Sequence, residues 1–172
     1  DLGIDPIPVE LMVETPQTVI DRDGTSGVRK FVDAGQGRVR GAHFGTYDYT
    51  ASLTITAAYQ TMTHPACDFA RHALQVSLAG TGVWISDGAT NVMPVPPHRG
   101  EDLTSGQEQE NRRTVRDAMQ LHYDHIRHSL IHAYYQGWDL HPAQFPTRYA
   151  AVYAFFLEGL ELLFERLDDR QV

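Results

Sequence analysis

Apolar and polar residues alternate along the chain with two different periods. Short apolar runs that end at Pro or Gly, such as PVELMVET, predict strands buried in a sheet. Longer segments with apolar residues three or four positions apart predict amphipathic helices. The predicted elements are, in chain order, a strand at Pro8–Thr15, a helix at Thr25–Ala34, a strand at Arg38–Thr46, helices at Thr50–Thr61 and Pro65–Ala79, a strand at Val83–Ser86, a helix at Glu110–Tyr135, a strand at Gly137–His141 and a helix at Pro146–Leu167.

The order of these elements predicts an α/β fold in which helices cover a parallel sheet. Four strand–helix units are half of a (β/α)8 TIM barrel, and a closed barrel needs about 250 residues. The chain has 172 residues and does not begin with Met. We therefore expect residues 1–172 to form a single domain, the C-terminal half of a TIM barrel, with further sequence before Asp1.

Composition and charge exclude several classes of function. There are 14 Lys and Arg residues against 22 Asp and Glu, a net charge of −8, so binding to nucleic acid or to an anionic membrane is not expected. Cys67 is the only cysteine, which excludes an intrachain disulfide and a cysteine-built zinc site. The chain lacks a run of about 18 apolar residues and has no signal-peptide pattern at its start. We expect a cytoplasmic protein.

Polar residues follow the predicted strands at their C-terminal ends, where functional side chains gather in β/α folds. The first strand ends with Glu14, the second is followed by GTYD up to Asp48, and the third is followed by Asp87. Glu14 and Asp48 could converge on one Mg²⁺ or Mn²⁺, because hard cations prefer oxygen ligands. The alternative is that these acids cap the helices that follow.

The nine histidines are the other candidates for chemistry. Asp139 and His141 share one face of the predicted fourth strand, so His141 could orient or protonate a substrate group. The alternative is that His141 supports the barrel floor or an adjacent loop. His43 lies in the middle of a strand and is expected to be a hydrogen-bonded interior residue. One face of the long helix carries four histidines, His122, His125, His128 and His132. We expect them to form a polar flank of this helix rather than a transition-metal site.

Aromatic and aliphatic residues recur at helical spacing between Tyr149 and Phe164. This pattern is more typical of a core or a subunit interface than of a ligand cage, so we expect a homo-oligomer. Arg148 is expected to form an ion pair with a neighbouring acid rather than to bind substrate. Lys30, the only lysine, lies in a predicted helix, which disfavours Schiff-base chemistry.

Four sequence elements resemble, in the same order, those of the HpcH/HpaI aldolase and citrate lyase β-subunit superfamily. They are ELMVETP, GAHFGTYDYTASL, HPACDFARHALQVSLAGTGV and YYQGWDLHPAQFPTRYAA, within residues 8–93 and 130–157. The resemblance implies a (β/α)8 barrel in which Glu14 and Asp48 bind a divalent metal, Mg²⁺ or Mn²⁺. Backbone N–H groups around Tyr47 and Asp48 would hold the substrate carboxylate. We expect the substrate-binding residues to be Gly45, Thr46, Tyr47 and Asp87, with His141 and Asp139 as the catalytic residues.

The activity that the resemblance implies is that of a metal-dependent carbon–carbon lyase. Such an enzyme acts on a 2-oxo acid or related small-molecule carboxylate through an enolate that the metal stabilises. The superfamily's substrate-binding arginine has no counterpart here, and Tyr49 and Thr54 replace its leucine and glycine. The alternative is a non-catalytic half-barrel or assembly subunit. A third interpretation is a histidine-based metal hydrolase. It would need ligands that converge from several elements, whereas the histidines of the long helix offer only one helix face.

Overall fold

Strands and helices follow the predicted order along the chain. A computed structural model describes residues 7–168, with the side chains of residues 161, 162 and 165–168 outside the description. The elements are β1 (Val9–Val13), α1 (Pro16–Val19), α2 (Gly27–Ala34), β2 (Val39–Phe44), α3 (Thr46–Ser52), a 3-10 turn (Ala57–Tyr59), α4 (Pro65–Leu78), β3 (Trp84–Ala89), α5 (Ser105–Ile131), β4 (Gly137–Trp138), a second 3-10 turn (Pro142–Gln144) and α6 (Phe145–Asp168). They fall into two compact units.

The first unit contains the sheet and consists of the chain up to Ala89 together with Tyr134–Trp138. The strands lie in the order β1-β2-β3-β4, and each neighbouring pair is parallel. An α/β fold with a parallel sheet and flanking helices, as the sequence predicts, is therefore confirmed. The C-terminal ends of adjacent strands lie at the same edge of the sheet. The closed (β/α)8 barrel stays a prediction.

Apolar side chains from the helices cover one face of this sheet. Val13 and Phe44 from the strands pack with Val28 of α2 and with Cys67 and Leu74 of α4, and all five are at most 1% exposed. Side chains alternate between the faces of a strand. The opposite face therefore carries another set of residues, among them Met12, His43, Trp84 and Ser86.

The second unit consists of Thr90–Ala133 and the chain from Asp139 onward. Its two long helices, α5 and α6, pack through Ile126, Leu130 and Ala151. Thr104 begins α5 with a capping box, in which its side chain and that of Gln107 each accept a hydrogen bond from the other's backbone N–H. Within residues 7–168, every helix is too short or too polar to cross a membrane.

The segment after β2 differs from the prediction. A helix was expected at Thr50–Thr61, but α3 occupies Thr46–Ser52 and the chain then turns. Thr54 has a φ of 60°, a left-handed conformation that a right-handed helix cannot include. The helix therefore cannot continue through Thr54. It also begins earlier than predicted, directly after Gly45, which places Asp48 in its first turn.

Three other predicted boundaries are wrong, and two of them affect candidate residues. β3 continues to Ala89, so Asp87 lies inside the strand rather than after it. β4 ends at Trp138, because His141 and Pro142 begin a 3-10 turn. Asp139 and His141 are therefore not strand residues. α5 also ends at Ile131 rather than at Tyr135.

Candidate metal and substrate site at the strand ends

Two carboxylates lie at neighbouring strand ends. Glu14 directly follows β1, and Asp48 is in the first turn of α3, which begins after β2. Val13 is the register partner of Phe44, so these strand ends are adjacent. Among the described residues, neither carboxylate has a hydrogen-bond or ion-pair partner. Carboxylate oxygens are the ligands that hard cations prefer, so these two acids are candidate metal ligands.

Gly45 is the residue that allows Glu14 to lie against the beginning of α3. A Cβ atom at Gly45 would be 2.8 Å from Glu14 Cβ and 3.1 Å from Glu14 Oε2. The first distance is too short for two carbon atoms, so any side chain here would displace Glu14 together with its carboxylate. Because glycine has no side chain, position 45 leaves room for this carboxylate beside the end of β2.

Thr46 contributes an unpaired hydroxyl to the same region. Its side chain is buried, and Oγ1 makes no hydrogen bond within the described chain. A Cβ atom at Gly88 would lie 2.8 Å from this oxygen, so glycine is needed there as well. The Tyr47 hydroxyl donates a hydrogen bond to the carbonyl oxygen of Ala89 over 3.1 Å, which links α3 to the end of β3. Of the four predicted substrate-binding residues, Gly45 therefore lies against Glu14, whereas Thr46 and Tyr47 contact Gly88 and Ala89 of β3.

Asp87, the fourth of these, lies on the helix-covered face. Its carboxylate is 1% exposed and accepts hydrogen bonds from Arg71 Nε over 2.9 and 3.0 Å. The Tyr134 hydroxyl donates to the carbonyl oxygen of Arg71. Burial, reinforced by the charge of Asp87, raises the pKa of Tyr134. Asp87 has a buried cationic partner, and this geometry favours a structural role over contact with substrate.

Asp139 and His141 have separate partners in the second unit. Asp139 accepts hydrogen bonds from His122 Nε2 over 2.9 Å and from Arg148 Nε over 2.6 Å. The Nδ1 atom of His141 accepts from the backbone N–H of Ala143 and caps the 3-10 turn. The predicted placement of Asp139 and His141 on one strand face is therefore wrong, whereas the ion pair expected for Arg148 is present. Their catalytic roles stay predictions.

The rest of the GWDLHPAQ element also makes structural hydrogen bonds. Gln144 is fully buried; its amide donates to the carbonyl oxygen of Thr90, and its Oε1 accepts from the backbone N–H of Leu140.

Two of the four helix histidines are buried rather than on a polar flank. Burial lowers the pKa of His122, and His125 Nδ1 lies 2.9 Å from Thr90 Oγ1.

A hydrogen-bonded chain of three side chains crosses β1, β2 and β3 on the face opposite the helices. His43 Nε2 is 2.8 Å from Glu10 Oε2, and Nδ1 is 2.7 Å from Ser86 Oγ. The rings of Trp84 and Trp138 flank the imidazole, each with its centroid 5.1 Å away. The expectation that His43 is a hydrogen-bonded interior residue is confirmed. Sequence reasoning missed Glu10 and Ser86, whose shared face could be found only from the strand register.

The chain belongs to the family described as "Domain of unknown function (DUF6986)", whose model matches residues 1–170. No functionally curated protein matches the sequence. Among solved structures, the chain is similar to the crystal structure of a citrate lyase from Burkholderia xenovorans LB400, with 20% identity and a TM-score of 0.56. The match covers 88% of this chain and 40% of the citrate lyase chain. It supports, at the level of the fold, the resemblance to citrate lyase proteins.

Proposed function

We propose that this member of the DUF6986 family provides the metal-binding strand ends of a carbon–carbon lyase built on a (β/α)8 barrel. The substrate class is a 2-oxo acid or a related small carboxylate. The observation that carries the proposal is the placement of Glu14 and Asp48, which have no hydrogen-bond or ion-pair partner among the described residues, just beyond the ends of two adjacent parallel strands. The fold shared with a citrate lyase, of which this chain spans 40%, supports the reaction class.

The donor set at the strand ends fits a hard divalent cation. Glu14 and Asp48 would hold Mg²⁺ or Mn²⁺, which accept carboxylate oxygens and retain further positions for water and substrate oxygens. Gly45 leaves room for the Glu14 carboxylate, as a side chain at that position would not. When bound, such a cation supplies positive charge where cleavage beside a carbonyl develops negative charge on oxygen.

The remaining residues of this region would orient the substrate. The buried hydroxyl of Thr46 has no partner within the described chain, and leaving such a group unpaired costs about 1–3 kcal/mol. A substrate oxygen that accepts its hydrogen bond would remove this penalty. Tyr47 is held in place by its hydrogen bond to Ala89, so the first turn of α3 stays fixed relative to the end of β3.

The proposal is tested with Glu14→Gln and Asp48→Asn, which keep the shape of each side chain and remove its charge. Mn²⁺ affinity is measured by isothermal titration calorimetry, and enolisation of pyruvate by deuterium exchange at the methyl group. Each variant should lose metal affinity and metal-dependent exchange while its unfolding transition stays near that of the wild type. The exposed surface acid Asp117 gives the matched control Asp117→Asn, which should retain both properties.

Three outcomes separate the possible readings of this experiment. Wild-type Mn²⁺ affinity in both carboxylate variants would place the metal elsewhere and overturn the proposed site. Metal binding that depends on both residues, without exchange in the wild type, would support the site and reject the lyase activity for this chain. Neither metal binding nor exchange in the wild type would favour the non-catalytic half-barrel or assembly subunit.

A further inference from the structure

The helix α6 has two apolar faces, and α5 covers only one of them. Ala151, Val152 and Phe155 pack against α5 in the second unit. Another face carries large side chains that are 44–65% exposed. These residues, here named the C-terminal stripe, are Tyr149, Tyr153, Phe156, Leu160 and Leu163. A helix that is apolar on nearly all sides is normally buried by a partner.

The spacing of the C-terminal stripe is that of a coiled-coil seam. Its residues follow one another at intervals of four, three, four and three positions, which is the a and d pattern of a heptad repeat. Leu157 and Phe164 widen the stripe on one side, and both are exposed. The repeat extends over 15 residues, or about 22 Å of helix. This pattern fits a second helix lying along α6.

The exposed area is large enough to support a stable complex. Aromatic side chains bury roughly 150–250 Å² each when they are fully covered. Seven half-exposed residues of this size, Leu157 and Phe164 included, therefore offer on the order of 600–800 Å². Each partner of a standard protein interface contributes about 800 Å², whereas exposed apolar patches on monomers seldom exceed a few hundred Å².

We propose that a second copy of this chain covers the C-terminal stripe, so that two α6 helices pack in an antiparallel pair around a two-fold axis. A heptad seam is self-complementary, because the same stripe on both copies supplies knobs and holes. The helix dipoles favour the antiparallel direction, because each α6 then sets its positive N-terminal end beside the negative C-terminal end of the other copy.

The proposal is tested by analytical ultracentrifugation of the purified protein and of Leu160→Glu. The variant places a charge at an exposed position in the seam and should raise the dimer dissociation constant about 10- to 100-fold, as loss of a central anchor does. Val76→Glu is the control, because Val76 is an exposed apolar residue on α4. It should dimerise like the wild type. Circular dichroism checks that both variants are folded.

Disulfide formation tests the direction of the pair. Phe156 lies near the middle of the stripe and Tyr149 at its end, so an antiparallel pair should crosslink through Phe156→Cys and not through Tyr149→Cys. The native Cys67 is fully buried and should not interfere. A wild type that is monomeric at 100 μM, or a Leu160→Glu variant that dimerises like the wild type, would overturn the proposal. Crosslinking through Tyr149→Cys alone would overturn the antiparallel arrangement.

Discussion

His43 and Glu10 lie on neighbouring parallel strands and share a hydrogen bond of 2.8 Å between the imidazole Nε2 and Oε2 of the carboxylate. An ionised carboxylate can only accept, so Nε2 carries the proton. In neutral His43, Nδ1 is then an acceptor and receives the hydroxyl proton of Ser86. The tautomer of His43 is thus determined by Glu10, and the rotamer of the Ser86 hydroxyl is determined by His43.

Ser86→Ala is expected to destabilise the protein. Ser86 is 1% exposed, and its removal leaves His43 Nδ1 without a donor in a buried position. The expected loss in the free energy of unfolding is about 1–3 kcal/mol, measured by urea denaturation. Ser52, which is exposed at the end of α3, provides the control Ser52→Ala. Equal stability of the two variants would show that the bond between Ser86 and His43 contributes nothing.

Gly45→Ala should weaken metal binding and also lower the stability of the protein. The added Cβ would lie 2.8 Å from Glu14 Cβ, so the end of β1 must shift together with the carboxylate, and overpacking of this kind typically costs about 1–3 kcal/mol. The backbone φ of −95° at Gly45 is itself accessible to alanine. Titration with Mn²⁺ should show lower affinity, by about tenfold or more if Glu14 is a ligand. Gly106→Ala on α5 has space for its Cβ and should bind Mn²⁺ like the wild type.

Asp87→Asn is expected to act on stability. The variant removes one of the two carboxylates that pair with the buried guanidinium of Arg71, while Asp68, 2.9 Å from Arg71 Nη1, remains. The expected loss therefore lies below the cost of about 3–5 kcal/mol for a buried charge that loses all its partners. The double variant Arg71→Met and Asp87→Asn should recover part of this loss, because it removes the guanidinium that Asp87 no longer balances. Denaturant unfolding of the wild type, the single variant and the double variant measures both effects. A stable Asp87→Asn protein that binds substrate poorly would instead restore the predicted role of Asp87 in substrate binding.

His122 should make the stability of the protein fall in mild acid. Burial lowers the pKa of this histidine below its ordinary value of 6.5, although the charge of Asp139 acts in the opposite direction. Below pH 6.5 the unfolded chain therefore binds a proton that the folded protein does not, and stability decreases as the pH falls towards the folded pKa. Above pH 6.5 this contribution is constant.

Urea unfolding at pH 5.5 and pH 7.5 measures this dependence. His122→Gln removes the titrating group and should reduce the difference in unfolding free energy between the two pH values. His72→Gln replaces a histidine with an exposed side chain and should keep the wild-type difference. If both variants show the same pH dependence, the acid sensitivity must come from other groups.

Several elements could be predicted from the sequence because their signals are local. The apolar run that ends at Pro16 predicts β1, and Pro65 followed by apolar residues at helical spacing predicts α4. Side-chain period and breaker residues act within a few positions, so the strand–helix order needs no knowledge of the fold. The polar residues after β1 and β2 could be found in the same way, since Glu14 directly follows β1 and Asp48 lies four residues after the end of β2.

Partners that are distant along the chain could not be predicted. The alternation of side chains predicts a shared face for Glu10 and Met12, but only the strand register shows that Ser86 is opposite His43. Asp139 was paired with His141 because the two are close in sequence, whereas in the fold it binds His122, which is 17 positions away. The sequence by itself determined the order of the elements and the acids at the strand ends, through short-range periodicity. Only the tertiary structure decided which charges are paired and buried, because a carboxylate takes the donor that packing places beside it.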